Sequence, residues 1–184
     1  GLFLFPYAGY PVWLRLRRTR YRVGEAPEPR EWPSVSVVIA AYNAHAAVAE
    51  KIRHMREHGY PGPFEIVVAD DGSRDGTADA AREAGADRVL SLPRSGKSEA
   101  QNEAVMAATG EVLVFTDVTV AVRPGALRRL VAELLSPGVG CVTGVDVSVA
   151  GDANDAAEGA GFYTRFETFL RHREAATGSL LGVN

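Results

Sequence analysis

A chain of 184 residues, 46% of them apolar, is long enough for one α/β domain with its own core and too apolar in bulk to be disordered. A single cysteine, Cys141, excludes an internal disulfide framework, and no Cys/His cluster has zinc spacing. The net charge of −3 divides into +3 over residues 1–32, with six Arg and three Glu, and −6 over the rest, so nucleic acid is not expected as a partner.

Residues 1–14 are aromatic and aliphatic, interrupted by Pro6 and Pro11, and Arg15, Arg17, Arg18, Arg20 and Arg22 follow with no acid among them. Such a run is shorter than the ~20 residues that cross a hydrocarbon core. An apolar segment that ends in clustered Arg is nevertheless the pattern of the cytoplasmic end of a membrane helix. Residues 1–22 are therefore expected to close a membrane helix that starts further upstream. That would place the domain on the cytoplasmic side of an inner or plasma membrane. The alternative is a hydrophobic arm packed on the domain. A signal peptide is excluded because the charges follow the apolar run. Residues 23–33 carry Pro27, Pro29 and Pro33 and read as a linker, so the domain is expected over residues 34–184.

From there the chain alternates. Ser34–Ala41 is an apolar run expected as a buried strand, with Asn43 placed to cap a helix from about Ala46 to His58. Phe64–Val68 predicts a second strand, ended by Asp70 and Asp71 and turned by Gly72 and Ser73, with a helix from Asp75 to Ala84. Arg88–Leu92 predicts a third strand. Ser98-Glu-Ala-Gln101 fits a capping box at the head of a helix that runs to about Thr109. Val112–Asp117 predicts a fourth strand ending in an acid, and Pro124 opens a helix to Leu135. Val139–Val149 predicts a fifth strand, and Glu158–Ala176 has helical spacing with Phe162, Phe166, Phe169 and Leu170 on one side. Strands alternating with helices across short loops imply a mostly parallel central sheet with helices on both faces.

In such a sheet ligands bind outside the carboxyl ends of the strands. Three strand ends carry polar groups to that rim: Tyr42-Asn43, Asp70-Asp71 and Thr116-Asp117. Lys97 opens a helix on the same rim. Carboxylates there can accept hydrogen bonds from ribose or an imide N–H, a lysine at a helix start suits a diphosphate, and a carboxylate beside it could hold Mg2+ or Mn2+. The set describes a nucleotide-diphosphate site. As a loop acid at a strand end, Asp71 is expected to contribute little to stability.

Four blocks in one order carry a resemblance: Pro33-Ser-Val-Ser-Val-Val-Ile-Ala-Ala-Tyr-Asn43, Glu65-Ile-Val-Val-Ala-Asp-Asp-Gly-Ser-Arg-Asp-Gly-Thr77, Gly96-Lys-Ser-Glu-Ala-Gln-Asn102 and Thr109-Gly-Glu-Val-Leu-Val-Phe-Thr-Asp117. Together they resemble family 2 glycosyltransferases, and within them the membrane-associated polysaccharide or glycan synthases. The resemblance implies a GT-A-type nucleotide-binding α/β domain. It implies transfer of a sugar from a nucleotide-diphosphate donor, a UDP-sugar first among them, to a glycan or lipid-linked acceptor with a divalent metal, Mg or Mn. Ala41, Tyr42 and Asn43 would line the nucleoside pocket, Asp71 would meet the base, and Gly72 and Ser73 belong to the same nucleotide-side set. Lys97 would lie near the nucleotide, and Asp117 matches the first acid of the D-x-D motif that meets ribose and metal. The last acid of that motif is replaced in Asp117-Val118-Thr119, which leaves Asp117 and Thr119 as metal ligands and weakens the case for the metal. The family's acidic base motif falls past residue 184, so no residue is assigned as catalytic, the C-terminal part of the domain is expected to be missing, and this chain alone is expected to be inactive.

Two rivals remain. A non-catalytic nucleotide-sugar-binding module, or degenerate partner of an active synthase, would also explain the missing acid. A P-loop nucleotidase would explain Gly96-Lys97-Ser98, but G-x-x-x-x-G-K-[ST] needs a glycine where Ser91 stands.

Overall fold

The computed structural model describes residues 9–16, 26–57 and 59–144. Residues 29–131 form one compact unit; residues 1–28 with 132–184 form another. The elements in chain order are α1 (Tyr10–Leu16), β1 (Val35–Ala41), α2 (His45–Glu57), β2 (Phe64–Asp71), α3 (Thr77–Glu83), β3 (Arg88–Leu92), α4 (Lys97–Ala107), β4 (Val112–Phe115) and α5 (Ala126–Leu134).

The four strands are parallel, in the order β3-β2-β1-β4. The two inner strands are the apolar runs, buried on both faces as parallel strands under helices must be. Alternation divides their side chains. Val35, Val37, Ile39, Ile66 and Val68 face a core completed by Val48 and Ile52 of α2, Ala80 and Ala81 of α3, and Leu127 and Val131 of α5. Val38, Val67 and Ala69 face the other way onto Ala100 and Ala104 of α4. Small alanines let α4 lie close on the sheet, so helices cover both faces as expected.

Parallel pairing also aligns the strand ends. Ala41 is opposite Asp70, Asp71 is opposite Leu92, and the β1–β4 ladder runs from Val35–Val112 to Val38–Phe115. The carboxyl ends of β1 and β2 and the loop after β4 therefore share one rim.

Several local expectations change. β4 stops at Phe115, and one further bond, Thr116 N–H to the Val38 carbonyl at 3.2 Å, carries the chain to a loop that holds Asp117. The box at Ser98–Gln101 is not formed: Gly96 is the N-cap and makes no side-chain cap bond, and Ser98 already lies inside α4. Asn43 does not cap α2 with its side chain. Its Oδ1 accepts the Arg74 N–H at 3.0 Å, and the N–H groups at the head of α2 go across to the next βα connection instead, that of Ala44, just before the helix, to Thr77 Oγ1 of α3 at 2.8 Å and that of His45 to Asp75 Oδ2 at 3.2 Å. Asp75 therefore precedes α3 and serves two helices, accepting the His45 N–H of α2 and, at 3.1 Å, the Thr77 N–H of α3. Pro124 lies in a turn before α5. Residues 139–144 are not a strand, and the rest of the expected fifth strand, like the expected helix over 158–176, lies outside the described residues.

At the N-terminus, α1 has seven residues, and no helix among the described residues is long and apolar enough to cross a membrane. Residues 1–8 and Arg17, Arg18, Arg20 and Arg22 lie outside the described residues.

The amino ends of the strands are tied by Glu65. Its carboxylate accepts from Ser36 Oγ at 2.6 Å, Thr109 N–H at 2.6 Å, Thr109 Oγ1 at 2.8 Å and Arg88 Nε at 3.2 Å. Burial alone would push this carboxyl up, but the donors together outweigh burial and bring it down to about 2. A carboxylate lowered in the fold stabilises fully above its ordinary range near 4.5 and loses that contribution as pH falls toward 2. Glu65→Gln should therefore be less stable than the parent above pH ~5, by up to about 3 kcal/mol, with the gap closing toward pH ~2. Urea midpoints measured across that range check it; parallel profiles would refute it.

Candidate functional site

The rim holds a cleft of about 250 Å³ within residues 29–131, lined by Ala40, Tyr42, Ala44, Lys97, Asp117, Val118 and Thr119. Three elements build it. Tyr42 leaves the end of β1, Lys97 is the first residue of α4, and Asp117 to Thr119 form the loop after β4. Lys97 Nζ and Asp117 Oδ1 are 2.7 Å apart, and both side chains are about half exposed (58% and 49%). The pair therefore stands in water and stabilises the fold little. Its use lies in what it can exchange: an ammonium for anionic oxygens, and a carboxylate for hydroxyls or a cation.

Asp71 sits differently. It is 2% exposed at the end of β2 and does not line the cleft. One oxygen accepts the N–H groups of Ser95 at 2.7 Å and Gly96 at 3.1 Å, the other accepts Gly96 at 3.0 Å, and Arg94 Nη1 pairs with that second oxygen. The carboxylate thus holds the loop that leads into α4 and sets where Lys97 stands. Gly72 belongs to this contact, since a Cβ there would meet the Arg94 nitrogen at 2.8 Å. The guanidinium of Arg94 in turn lies 3.7 Å from the centroid of the Tyr42 ring. A cation stacked on an aromatic face and paired with a buried carboxylate makes a rigid plate at the Tyr42 side of the cleft. The expectation that Asp71 adds little to stability is therefore corrected: its oxygens are filled by long-range donors.

The other expected site residues divide in the same way. Ala41 points into the core at 3% exposure, and alternation turns its neighbour Ala40 to the cleft instead. Asn43, in a left-handed conformation (φ 47°), donates its N–H to Ser73 Oγ at 2.8 Å, so Asn43 and Ser73 fasten the loop after β1 to the loop after β2. Asp70 accepts the Ser73 N–H at 3.2 Å within that turn.

Two residues that the sequence reading passed over join the site. Arg94 had no local signal, because its partner is 23 residues away. Lys51 had one: it shares the buried stripe of α2 with Val48, Ile52 and Met55, where a charge is out of place. Its Nζ donates to Thr116 Oγ1 at 2.7 Å and to the Val120 carbonyl at 2.6 Å. Burial pulls this ammonium down to about 8, against the opposing pull of Asp117.

Among the described residues no three His, Cys, Asp or Glu side chains group as a metal cluster. Mg2+ or Mn2+ bound through one carboxylate, a substrate diphosphate and waters needs no such cluster. Asp117, exposed on the rim with Thr119 lining the same cleft, fits that arrangement. The same geometry disfavours a P-loop. There the loop N–H groups wrap phosphate, whereas here those of Ser95 and Gly96 end on Asp71.

A family model described as glycosyl transferase family 2 matches residues 36–179. The chain belongs to this family. Among its relatives is an N-acetylglucosaminyltransferase of Rhizobium leguminosarum bv. trifolii, 28% identical over 153 residues, covering 78% of this chain and 84% of the relative. An N-acetylglucosaminyltransferase of Mesorhizobium japonicum is 29% identical over 128 residues, but this chain spans only 30% of its length. The fold is similar to that of GT-A glycosyltransferases. A mannosyltransferase from Pyrobaculum calidifontis, solved with GDP-Man and Mn2+, superposes with a TM-score of 0.64 at 31% identity, over 76% of this chain and 44% of that one. The glucosyl-3-phosphoglycerate synthase of Mycobacterium tuberculosis, solved with Mn2+, UDP and glucosyl-3-phosphoglycerate, does so with a TM-score of 0.52 at 30% identity, over 66% and 47%. The chain thus spans less than half of either of these solved structures.

Proposed function

We propose that this chain carries the donor-nucleotide half of a glycosyltransferase site, taking a nucleotide-diphosphate sugar, a UDP-sugar first among them, and serving transfer to a glycan or lipid-linked acceptor. The observation that carries the reading is the exposed Lys97–Asp117 pair over a cleft at the strand ends, beside the Tyr42–Arg94 plate. The plate suits the flat face of a base. Lys97 at the head of α4 suits the diphosphate, which would take the ammonium from Asp117 and free that carboxylate for ribose hydroxyls or a cation. The two solved structures, one with GDP-Man and Mn2+ and the other with UDP and Mn2+, support a nucleotide donor with a divalent cation.

In the reaction an acceptor hydroxyl oxygen bonds to the anomeric carbon while that carbon's bond to the diphosphate oxygen breaks. The electron pair leaves with the nucleoside diphosphate, and the hydroxyl proton passes to a base. No described residue is assigned as that base. Lys97 would offset charge on the departing diphosphate. Asp117 and Thr119 would hold a divalent metal, which when bound neutralises part of the same charge. Because Thr119 is neutral where a second acid would bind more strongly, metal affinity without nucleotide is expected to be weak. The N-terminal apolar segment with its Arg run is proposed to hold the domain at the cytoplasmic side of a membrane. The single carboxylate also suits a non-catalytic donor-binding module, and sugar transfer by a chain that includes the base would decide between the two.

Thermal midpoints with UDP and GDP, each with and without Mn2+, test the reading. A ligand bound to the native state at 100 times its dissociation constant adds about 2.7 kcal/mol, so a rise of several degrees is expected. Asp117→Asn should lose the Mn2+-dependent part of the rise, and Lys97→Ala should weaken diphosphate more than nucleoside. No rise with either nucleotide would refute the proposal.

A further inference from the structure

Lys51 is 4% exposed on the core-facing side of α2, where its neighbours Val48, Ile52 and Met55 are apolar. A methionine or leucine would fill that position without desolvating a charge, and burying an ammonium costs several kcal/mol unless it is well bonded. The bonds it makes are specific. Thr116 Oγ1 at 2.7 Å and the Val120 carbonyl at 2.6 Å lie immediately before and soon after Asp117-Val118-Thr119. One side chain from α2 therefore clamps both ends of the loop that supplies the acidic side of the cleft. Beyond the end of β4 at Phe115 the loop is otherwise held by Thr116 N–H to Val38, a turn from Val120 N–H to the Asp117 carbonyl at 3.3 Å, the half-exposed Asp117–Lys97 pair and the packing of Val118 on the core, so Lys51 is its one buried charged anchor among the described contacts. Lys51 does not line the cleft, so its reach to a ligand runs through the loop.

We propose that Lys51 is a positioning residue for donor binding, a buried ammonium strut that sets the Asp117–Thr119 loop in the geometry that receives a metal-associated diphosphate. The inference rests on the nucleotide-diphosphate reading above and adds to it a residue with no place in the D-x-D pattern. The strut acts on one end of the ligand only. The Tyr42–Arg94 plate is held by Asp71 and by the loop into α4, whereas the hydrogen bonds of Lys51 go to Thr116 and Val120.

The test compares wild type, Lys51→Met, Lys51→Gln and Lys51→Arg. For each, the dissociation constants of UDP with Mn2+ (or GDP, if it stabilises wild type more) and of the matching nucleoside are measured by calorimetry, with the midpoint of the free protein. Removing a group that orients a metal ligand commonly costs about 10–100-fold in metal affinity. Lys51→Met is expected to weaken the diphosphate at least about tenfold in Mn2+ and to weaken the nucleoside, which meets Asp117 through ribose alone, by clearly less. Lys51→Arg, which keeps the cation and its donors, should recover part of the loss. Should Lys51→Met fail to fold, Lys51→Gln carries the same comparison. Unchanged diphosphate affinity, or equal loss of diphosphate and nucleoside, would overturn the proposal, because a merely structural lysine would give one or the other. If wild type itself bound neither nucleotide, the donor-site reading would be the one to fall.

Discussion

Replacing Gly110 with alanine is expected to destabilise the domain by about 3 kcal/mol, a large share of the ~5–15 kcal/mol that holds a typical fold. A Cβ on Gly110 would meet the Ser36 nitrogen at 2.5 Å, the Val35 carbonyl carbon at 2.6 Å and Ser36 Oγ at 2.7 Å. Two of these are backbone atoms of β1, an inner strand paired on both sides, so they cannot turn away as a flexible side chain would. Either β4 moves or its register with β1 is lost. The glycine N–H also donates to Ser36 Oγ at 2.7 Å, and that hydroxyl donates on to Glu65, so the whole amino-end network shifts with it. Because β4 leads straight into the Asp117 loop, nucleotide-dependent stabilisation should fall along with the urea midpoint. A Gly110→Ala protein as stable as the parent would mean that β4 approaches β1 less closely than described.

Asp71→Ala is the second large effect. It leaves the N–H groups of Ser95 and Gly96 and the guanidinium of Arg94 without their acceptor in a part-buried site. Stranded donors cost about 1–3 kcal/mol each, and more when one partner is charged. A loss of about 3 kcal/mol is therefore expected, with the loop into α4 loosened and Lys97 no longer held over the cleft. Denaturant midpoints and the thermal shift with UDP and Mn2+ should both drop. A variant of parental stability that had lost only its nucleotide response would return Asp71 to the role of a direct base contact.

These two residues also mark how far the sequence could be read. The strands were legible because both inner ones are continuous apolar runs, and the common rim was legible because parallel strands separated by helices must end on one side. That is why Tyr42, Lys97, Asp117 and Thr119 could be assembled on the same cleft from spacing and resemblance. What stayed hidden depends on long-range approach. Gly110 reads locally as the stop after α4, and nothing in its neighbourhood announces that β1 passes within contact distance. Asp71 and Asp117 look alike as strand-end acids, yet one is sealed by a loop more than twenty residues on and the other stands in water. The capping box at Ser98 failed for the same reason: Asp71 takes the Ser95 and Gly96 N–H groups and settles where α4 begins. Lys51 was visible as a charge on an apolar stripe, but its partners after β4 were not.

Hydrogen–deuterium exchange with and without UDP and Mn2+ reads the site directly. A donor nucleotide seated on the strand-end rim should slow exchange in residues 40–44, 94–98 and 116–120 together, and leave the amino-end network around Glu65 and Thr109 unchanged. Protection confined to other segments, or none at saturating nucleotide, would contradict a shared donor cleft formed by Tyr42, Lys97 and Asp117.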